Sequence, residues 1–282
     1  MSSFDEVNRD WLGRFLEHRI ADPRVLRLIQ KWLKAGVLEN GVVIDSEKGT
    51  GQGTVISPLL ANVYLHYSLD LWAERWRRRE ATGDMIIVRY ADDVVVGFEH
   101  ESDARRFWDA VRERLQKFSL SLQPDKTRLI EFGRFAATNR KRRGLGKPET
   151  FSFLGFTFIA GKSLRGRFLL KRRSRRDRMR AKLKEVAGEL RQRMHQSIPE
   201  QGKWLKQVVT GYFVYHAVPT NSAALITFRD GIIARWRWVL HRRSQKSALT
   251  WTRMKQLADD WLPKPRILHP WLNQRFAVNH PR

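Results

Sequence analysis

Two apolar, β-branched runs enclose a short acidic segment near residue 90. Met85-Ile86-Ile87-Val88 leads into Tyr90-Ala91-Asp92-Asp93, and Val94-Val95-Val96 follows. This pattern predicts a β-hairpin whose turn carries the two carboxylates. Runs this apolar are typical of core strands, so we expect the acidic turn to project from a packed sheet.

The side chains of Asp92 and Asp93 are adjacent, and adjacent carboxylates repel each other unless a cation lies between them. Magnesium prefers oxygen ligands of this kind, and phosphoryl transfer is its commonest work in enzymes. A solvated turn without a metal is the alternative, because aspartate favours turns by hydrogen-bonding its own backbone. The pair alone does not decide between these two interpretations.

The chain is strongly basic. Its 282 residues hold 54 Lys and Arg against 29 Asp and Glu, which gives a net charge of +25 and a pI near 11.1. Such a field predicts a polyanionic partner, nucleic acid above all, with an anionic membrane surface as the competing partner. No long basic amphipathic helix stands apart from the rest, so we expect no membrane partner.

Composition excludes several other classes of protein. An apolar content of 42% excludes wholesale disorder, and the absence of cysteine excludes disulfides and Cys-based zinc sites. We find no run of 18 apolar residues and no apolar core of signal-peptide length. We therefore expect a protein of the bacterial cytoplasm or of an organelle, and not a secreted one.

Helical and strand patterns are mixed in the first part of the chain, which indicates an α+β fold. The apolar spacing predicts two helices within residues 10–38, one from Ser57-Pro58 to about Glu80, and one over 103–118. Strands are predicted within 120–132, on either side of a turn at Pro124-Asp125, and over 151–159.

The character of the chain changes after about residue 160. Residues 134–193 hold 20 Lys and Arg against 4 Asp and Glu. Three helices with short joints are predicted over 175–194, 203–217 and 223–241. Helices so connected suggest a small bundle.

Four motifs follow one another along the chain. They are Gly49-Thr50-Gly51-Gln52-Gly53 with Ser57-Pro58-Leu59-Leu60-Ala61-Asn62, then Tyr90-Ala91-Asp92-Asp93, then Leu120-Ser121-Leu122-Gln123-Pro124-Asp125-Lys126-Thr127, and then Phe153-Leu154-Gly155-Phe156. In these motifs and their order, the chain resembles group II intron reverse transcriptase/maturases over nearly its whole length. The resemblance implies an incomplete right-hand polymerase palm over residues 1–160. An all-α thumb or maturase domain over 161–250 and a tail over 251–282 would follow.

The resemblance also implies a function. It is that of an RNA-directed DNA polymerase of intron mobility, which also binds the intron RNA and assists its splicing. Mg²⁺ would be the cofactor, with two ions in a complete family member. The implied partners are group II intron RNA and a DNA primer or target, and a second copy of the chain is a candidate partner.

Site residues follow from the same resemblance. Asp92 and Asp93 would be catalytic and would hold the metal. Nucleotide and template would be bound by Phe4, Gly51, Gln52, Gly53 and Lys126. Leu154 and Gly155 would form the primer grip, and RNA would be bound by Lys171, Arg172, Arg173, Arg175 and Arg176.

Each of these segments also has a plainer interpretation. Gly51-Gln52-Gly53 fits an ordinary turn, and Lys126 fits an ordinary surface lysine. The segment around Gly155 fits a buried strand, in which glycine allows a close approach of backbone. The basic cluster from Lys171 fits a solvated face, although its density favours contact with phosphates.

The family's first metal-binding aspartate has no counterpart in this sequence. Phe4-Asp5 matches the end of the segment that carries it, with Phe4 at the steric-gate position, and the ligand itself would precede Met1. A truncated copy or a misassigned start would each explain this. We therefore expect little or no DNA synthesis by the chain alone, which leaves open whether it is an enzyme. The alternative function is that of a non-catalytic, RNA-binding maturase remnant.

Overall fold

The computed structural model of this chain describes residues 7–34, 37–39, 42–44, 56–243, 249–271 and 274. The chain forms two compact units, the first ending at Leu129 and the second beginning at Ile130. Both combine helices with small antiparallel sheets, which confirms the predicted α+β fold. The domain limits near residues 160 and 250 stay predictions. Within the described residues, no helix has both the length and the apolar character needed to cross a membrane.

Helices make up more than half of the described residues of the first unit. Helix α1 (Arg9–Glu17) begins after Asn8, whose side-chain oxygen accepts hydrogen bonds from the backbone N–H groups of Asp10 and Trp11. The other elements are α2 (Pro23–Lys34), β1 (Val37–Glu39), β2 (Val42–Ile44), α3 (Ser57–Leu65), a π-helical segment (His66–Asp70), α4 (Leu71–Arg79), β3 (Met85–Tyr90), β4 (Asp93–Phe98) and α5 (Glu101–Gln116).

The helix predicted from Ser57 to about Glu80 is confirmed as α3, the π-helical segment and α4 in succession. Pro58 lies in its first turn, where its missing N–H costs no hydrogen bond. Tyr64 is fully buried in the core and donates its hydroxyl to the carbonyl oxygen of Phe118 at 2.7 Å. Burial raises the pKa of Tyr64 to about 12. This helix is therefore a fixed support for the elements packed on it.

The acidic hairpin packs against that support with one face only. Met85, Ile87 and Val94 point into the core of the first unit. The alternate residues Ile86 and Tyr90, each 65% exposed, and Val88 at 47% lie on the open face. The expectation of fully packed core strands is therefore wrong for this face, because strand residues alternate between two sides and the described residues cover only one.

Residues 120–132 are the second correction. The predicted turn is confirmed at residues 124–126, where the N–H groups of Lys126 and Thr127 bond to the carbonyl oxygen of Gln123. No strand flanks this turn among the described residues, however. The residues on either side of the turn do not pair with a described strand.

The second unit begins with helix α6 (Ala136–Arg142) and a three-stranded antiparallel sheet. Its strands are β5 (Phe151–Phe153), β6 (Phe156–Lys162) and β7 (Phe168–Ser174), in that spatial order. The single strand predicted over 151–159 is thus two strands joined by a tight turn. Leu154 and Gly155 form the turn, with φ of +46° and +74°. Gly155 therefore lies in a turn and not within a strand, where it was expected to allow a close approach of backbone.

A helical bundle completes the second unit. The predicted helices are confirmed as α7 (Arg176–Gln192), α8 (Ile198–His216) and α9 (Ser222–His241). The predicted tail begins with a further helix, α10 (Trp251–Trp261), whose Met254 and Ala258 are fully buried. At the centre of the bundle, Trp236 donates its indole N–H to Oε1 of buried Gln201 at 2.8 Å.

Candidate active site and nucleic-acid surface

The acidic turn is as tight as a hairpin turn can be. Tyr90 pairs with Asp93, so only Ala91 and Asp92 lie between the two strands. Ala91 has φ of +52°, a left-handed conformation that suits the twist of a hairpin but strains a residue with a Cβ. Asp92 is half-buried and Asp93 is exposed. The fold therefore presents both carboxylates at the tip of a short hairpin.

Neither carboxylate makes an ion pair or a hydrogen bond with another described side chain, which leaves their oxygens available as ligands. The described residues bring no group of three His, Asp or Glu together around a metal position. Two carboxylates nevertheless fit magnesium, which commonly takes one or two protein carboxylates together with water and substrate phosphates. The donor set is suited to a metal that is bound jointly with a phosphorylated substrate.

Arg89 lies directly below this turn, and its role is not visible in the sequence. It is 15% exposed, and its guanidinium forms two parallel bonds with Asp70, from Nε to Oδ1 at 2.7 Å and from Nη2 to Oδ2 at 2.6 Å. Its Nη1 donates to Oδ1 of Asn62 at 2.8 Å and to the carbonyl oxygen of Ala91 at 2.9 Å. One side chain thus joins the turn to the helix beneath it.

The residues predicted to bind nucleotide and template are only partly visible. Phe4, Gly51, Gln52 and Gly53 lie outside the described residues. Lys126 is exposed at the end of the turn that follows Gln123 and forms no ion pair with any residue that the structure describes. Its proposed contact with a nucleotide triphosphate therefore stays a prediction.

The turn predicted as a primer grip is held by helix α8 of the same unit. Tyr215 donates its hydroxyl to the carbonyl oxygen of Leu154 at 2.9 Å. A Cβ at Gly155 would lie 3.7 Å from the ring of Tyr215 and 3.9 Å from that of His216. The turn and the end of α8 are therefore one packed structure, which the sequence did not indicate.

A buried polar network lies beneath that turn. His216 Nδ1 is 2.9 Å from the hydroxyl of Ser174, which itself accepts a hydrogen bond from Nδ2 of Asn221 at 2.8 Å. Ser174 can then donate its proton to His216, which requires a neutral imidazole. Burial lowers the pKa of His216 to about 4. The imidazole is therefore a structural acceptor at neutral pH.

The predicted RNA-binding residues do not share one face. Lys171 pairs with Ile159 and Arg173 with Thr157, whereas Arg172 pairs with Phe158 and so points to the other side of the sheet. Arg175 forms an ion pair with Asp177 at 2.5 Å. Lys171, Arg173 and Arg176 have no anionic partner among the described residues, so they are the cations most available to a phosphate.

The sequence was also compared with known protein families and with known proteins. Residues 1–158 match the model of the reverse transcriptase (RNA-dependent DNA polymerase) family. The group II intron-encoded protein LtrA of Lactococcus lactis subsp. cremoris is 44% identical over 63 residues, which are 22% of this chain and 10% of that protein. A 91 kDa protein in the cob intron of Schizosaccharomyces pombe is 43% identical over 63 residues, 22% of this chain and 8% of its own length.

A longer but weaker similarity joins this chain to a COX1/OXI3 intron 1 protein of Saccharomyces cerevisiae, at 22% identity over 66% of this chain and 28% of the yeast protein. The chain thus spans a small part of the length of the curated relatives that it matches, so these matches do not establish that it has the activity of a whole relative. Its membership of the family is established, because the family model covers more than half of its residues. The chain belongs to the reverse transcriptase family, and it is similar to the group II intron-encoded protein LtrA and to a protein of the cob intron.

Proposed function

We propose that this chain is the part of a group II intron reverse transcriptase/maturase that carries the acidic catalytic hairpin and an RNA-binding helical region. The observation that carries the proposal is the pair of unpaired carboxylates, Asp92 and Asp93, on a two-residue turn in the middle of a reverse transcriptase match. The reaction is the attack of a primer 3′-hydroxyl on the α-phosphate of a deoxynucleotide. The expected compartment is a bacterial cytoplasm or an organelle.

In this function the acidic hairpin would bind the metal ion and orient the reacting groups of primer and nucleotide. Asp92 and Asp93 would hold magnesium, which would act as a Lewis acid and would offset the negative charge of the triphosphate. Lys126 would lie near the triphosphate, and the turn at Leu154 and Gly155 would contact the primer. Phe4, Gly51, Gln52 and Gly53 keep their proposed place around the nucleotide and the template.

The RNA-binding part of the function belongs to the second unit. Among the five cations predicted to bind RNA, Lys171, Arg173 and Arg176 have no anionic partner in the described part of that unit, and Arg172 and Arg175 lie beside them. Cations so placed fix a nucleic acid by its phosphates and carry no sequence information of their own. Intron RNA and a DNA primer or target are the partners that we propose.

A non-catalytic RNA-binding protein is the second candidate. One observation favours it, since residues 130–282 hold 34 Lys and Arg against 9 Asp and Glu and can attract RNA without the acidic hairpin. Such a protein would bind intron RNA and assist splicing without synthesising DNA. The two candidates differ in what Asp92 and Asp93 do.

A pair of assays on the same preparations separates the candidates. RNA-templated extension of a DNA primer in Mg²⁺ is measured for the unmodified chain and for the double variant Asp92→Asn with Asp93→Asn, together with binding to a group II intron RNA. The matched control is Asp84→Asn with Glu99→Gln, which removes two charges from the opposite end of the same hairpin. The polymerase candidate requires synthesis, however weak in this chain alone, that only the first double variant abolishes.

The second candidate requires the opposite pattern. RNA binding would be salt-sensitive, equal in all three proteins and unaccompanied by DNA synthesis. Absence of both synthesis and salt-sensitive RNA binding would contradict the proposed function as a whole.

A further inference from the structure

The acidic turn is bonded to the helix beneath it through a single side chain. Arg89 uses all three of its guanidinium nitrogens, two on Asp70, and the third on both Asn62 and the carbonyl oxygen of Ala91. These three partners lie 19, 27 and 2 positions away in the sequence. The bond to Ala91 is the one that reaches the site, because it restrains the residue next to Asp92.

Ala91 is where such a restraint is needed. Its φ is +52°, a conformation that is unfavourable for a residue with a Cβ and therefore has to be stabilised by other contacts. The opposite face of the hairpin gives no support, since Val88 and Tyr90 are exposed there. Besides the pairing of Tyr90 with Asp93, a hydrogen bond from the fixed guanidinium of Arg89 therefore holds the turn in its strained form.

The helix, in turn, is shaped to hold the guanidinium. Asn62 and Asp70 are eight residues apart, and in a regular α-helix they would lie about 80° apart around the axis. The π-helical segment His66–Asp70 takes up one extra residue between them. With this extra residue, the eight positions from Asn62 to Asp70 rotate about the axis by nearly the same angle as seven positions of a regular α-helix, which is close to two full turns. Asn62 and Asp70 therefore lie on one face of the helix.

We propose that Arg89 is a positioning residue of the metal site, and that the π-helical segment exists to present Asp70 and Asn62 to it. Arg89 itself forms no bond with the side chains of Asp92 and Asp93. It fixes the Ala91 carbonyl, and thereby the backbone that carries Asp92 and Asp93, in the arrangement in which both carboxylates can share a divalent cation. This inference rests on the proposed function of the hairpin.

An ordinary core ion pair is the alternative, and it would need only Asp70. Lysine in place of Arg89 would preserve such a pair, but it cannot reach Asp70, Asn62 and Ala91 at the same time with one ammonium group. The proposal therefore predicts that Arg89→Lys keeps the fold and loses the metal site. Asn62→Ala removes one anchor, keeps the ion pair, and should weaken the site less.

The test is iron-mediated cleavage of the whole chain, which needs no enzymatic activity. Fe²⁺ replaces magnesium among oxygen ligands, and with ascorbate and hydrogen peroxide it cuts the backbone near its site; mass spectrometry then locates the cuts. Cleavage of the unmodified chain is expected around residues 90–94. In Arg89→Lys the Fe²⁺ concentration for half-maximal cleavage should rise about tenfold, the low end of what losing an outer-shell partner costs a metal site.

Arg106→Lys is the matched control. Arg106 forms an ion pair with Asp103 at 2.7 Å in the same unit, away from the turn, so its replacement should leave the iron cleavage unchanged. Circular dichroism checks that every variant is folded. If Arg89→Lys is not folded, Asn62→Ala replaces it as the test variant. If Arg89→Lys is cleaved as readily as the unmodified chain, the positioning role of Arg89 is overturned. The same holds for Asn62→Ala where that variant replaces Arg89→Lys. Failure of the unmodified chain to be cut at the turn would instead overturn the metal site itself.

Discussion

Residues 1–129 and residues 130–282 are similar in length and very different in charge. The first hold 20 Lys and Arg against 20 Asp and Glu, whereas the second hold 34 against 9. The whole net charge of the chain therefore lies in the second unit. Attraction for a polyanion comes from there, while the acidic turn lies in a neutral unit, where no excess of cations competes with a divalent metal for its carboxylates.

The two units also differ in how their key elements are supported. Trp236 and Phe228 in the bundle are enclosed on all sides, whereas the acidic hairpin is covered on one face and exposes Ile86, Val88 and Tyr90 on the other. Packing alone can fix a side chain in the bundle. The tip of a half-covered hairpin depends instead on a few directed bonds, which is why the contacts of Arg89 matter there.

The largest effect should follow from a change at the centre of the bundle. Trp236→Phe leaves a cavity and deprives buried Gln201 of its indole donor, so the second unit should lose about 3 kcal/mol of stability. Hydrogen exchange should show faster opening of α7 to α10. Leu115→Ala is the counterpart in the first unit, where Leu115 is fully buried. If each variant opens both units equally, the units are not independent in stability.

The second effect concerns RNA affinity. Lys171→Gln, Arg173→Gln and Arg176→Gln together should weaken binding to intron RNA about 30-fold and reduce the slope of log affinity against log salt by about 2. Titration at several salt concentrations measures both. Arg77→Gln, Arg78→Gln and Arg79→Gln remove the same charge from the first unit, where Arg77 and Arg78 already contact Glu74. Equal losses in the two triple variants would mean that charge matters but its location does not.

The local structure of both units could largely be predicted from the sequence. Helices α3, α5, α7, α8 and α9 follow from an apolar period that each segment contains in itself, and the hairpin follows from two β-branched runs around an acidic turn. The sequence also indicated Asp92 and Asp93, although the pair alone did not decide between a metal site and a solvated turn, and the other motifs of the family were needed to favour the metal site. Local signals of this kind survive folding because the contacts that satisfy them are near in sequence.

What the sequence did not show depends on distant contacts. The bonds of Arg89 join residues 19 and 27 positions apart, and the bond from Tyr215 to Leu154 spans 61 positions. The open face of the hairpin was unforeseen because an apolar strand does not reveal whether both of its faces are covered. The two strands predicted within 120–132 failed for a similar reason, since strand propensity is realised only where a partner strand is available.

The third effect is a pH dependence confined to the second unit. The pKa of His216 is about 4 in the folded chain, below its usual value near 6.5, because the imidazole is buried. The unfolded chain therefore binds a proton first as the pH falls. Stability should be complete above pH 6.5 and should decline between pH 6.5 and 4, by about 1 to 2 kcal/mol after allowance for partial exposure.

Replacing His216 tests this assignment. His216→Gln keeps an acceptor for the Ser174 hydroxyl and cannot titrate, so the decline between pH 6.5 and 4.5 should flatten in denaturant unfolding followed at each pH. His195, which is exposed at the end of α7, provides the matched variant His195→Gln, in which the decline should persist. A decline that survives in His216→Gln would assign it to other groups.

The smallest effect concerns the acidic turn and reverses the usual sign of a glycine substitution. Ala91 has φ of +52°, which glycine adopts without strain, so Ala91→Gly should stabilise the first unit by less than about 1 kcal/mol. Ala110→Gly, within helix α5, should destabilise the same unit by about 1 kcal/mol. Chemical denaturation of the two variants gives the comparison. If both variants lose stability alike, Ala91 is not strained and the turn needs no restraint from Arg89. If only Ala91→Gly gains stability, the half-covered hairpin stores strain next to its two carboxylates, and a directed bond rather than packing keeps it in place.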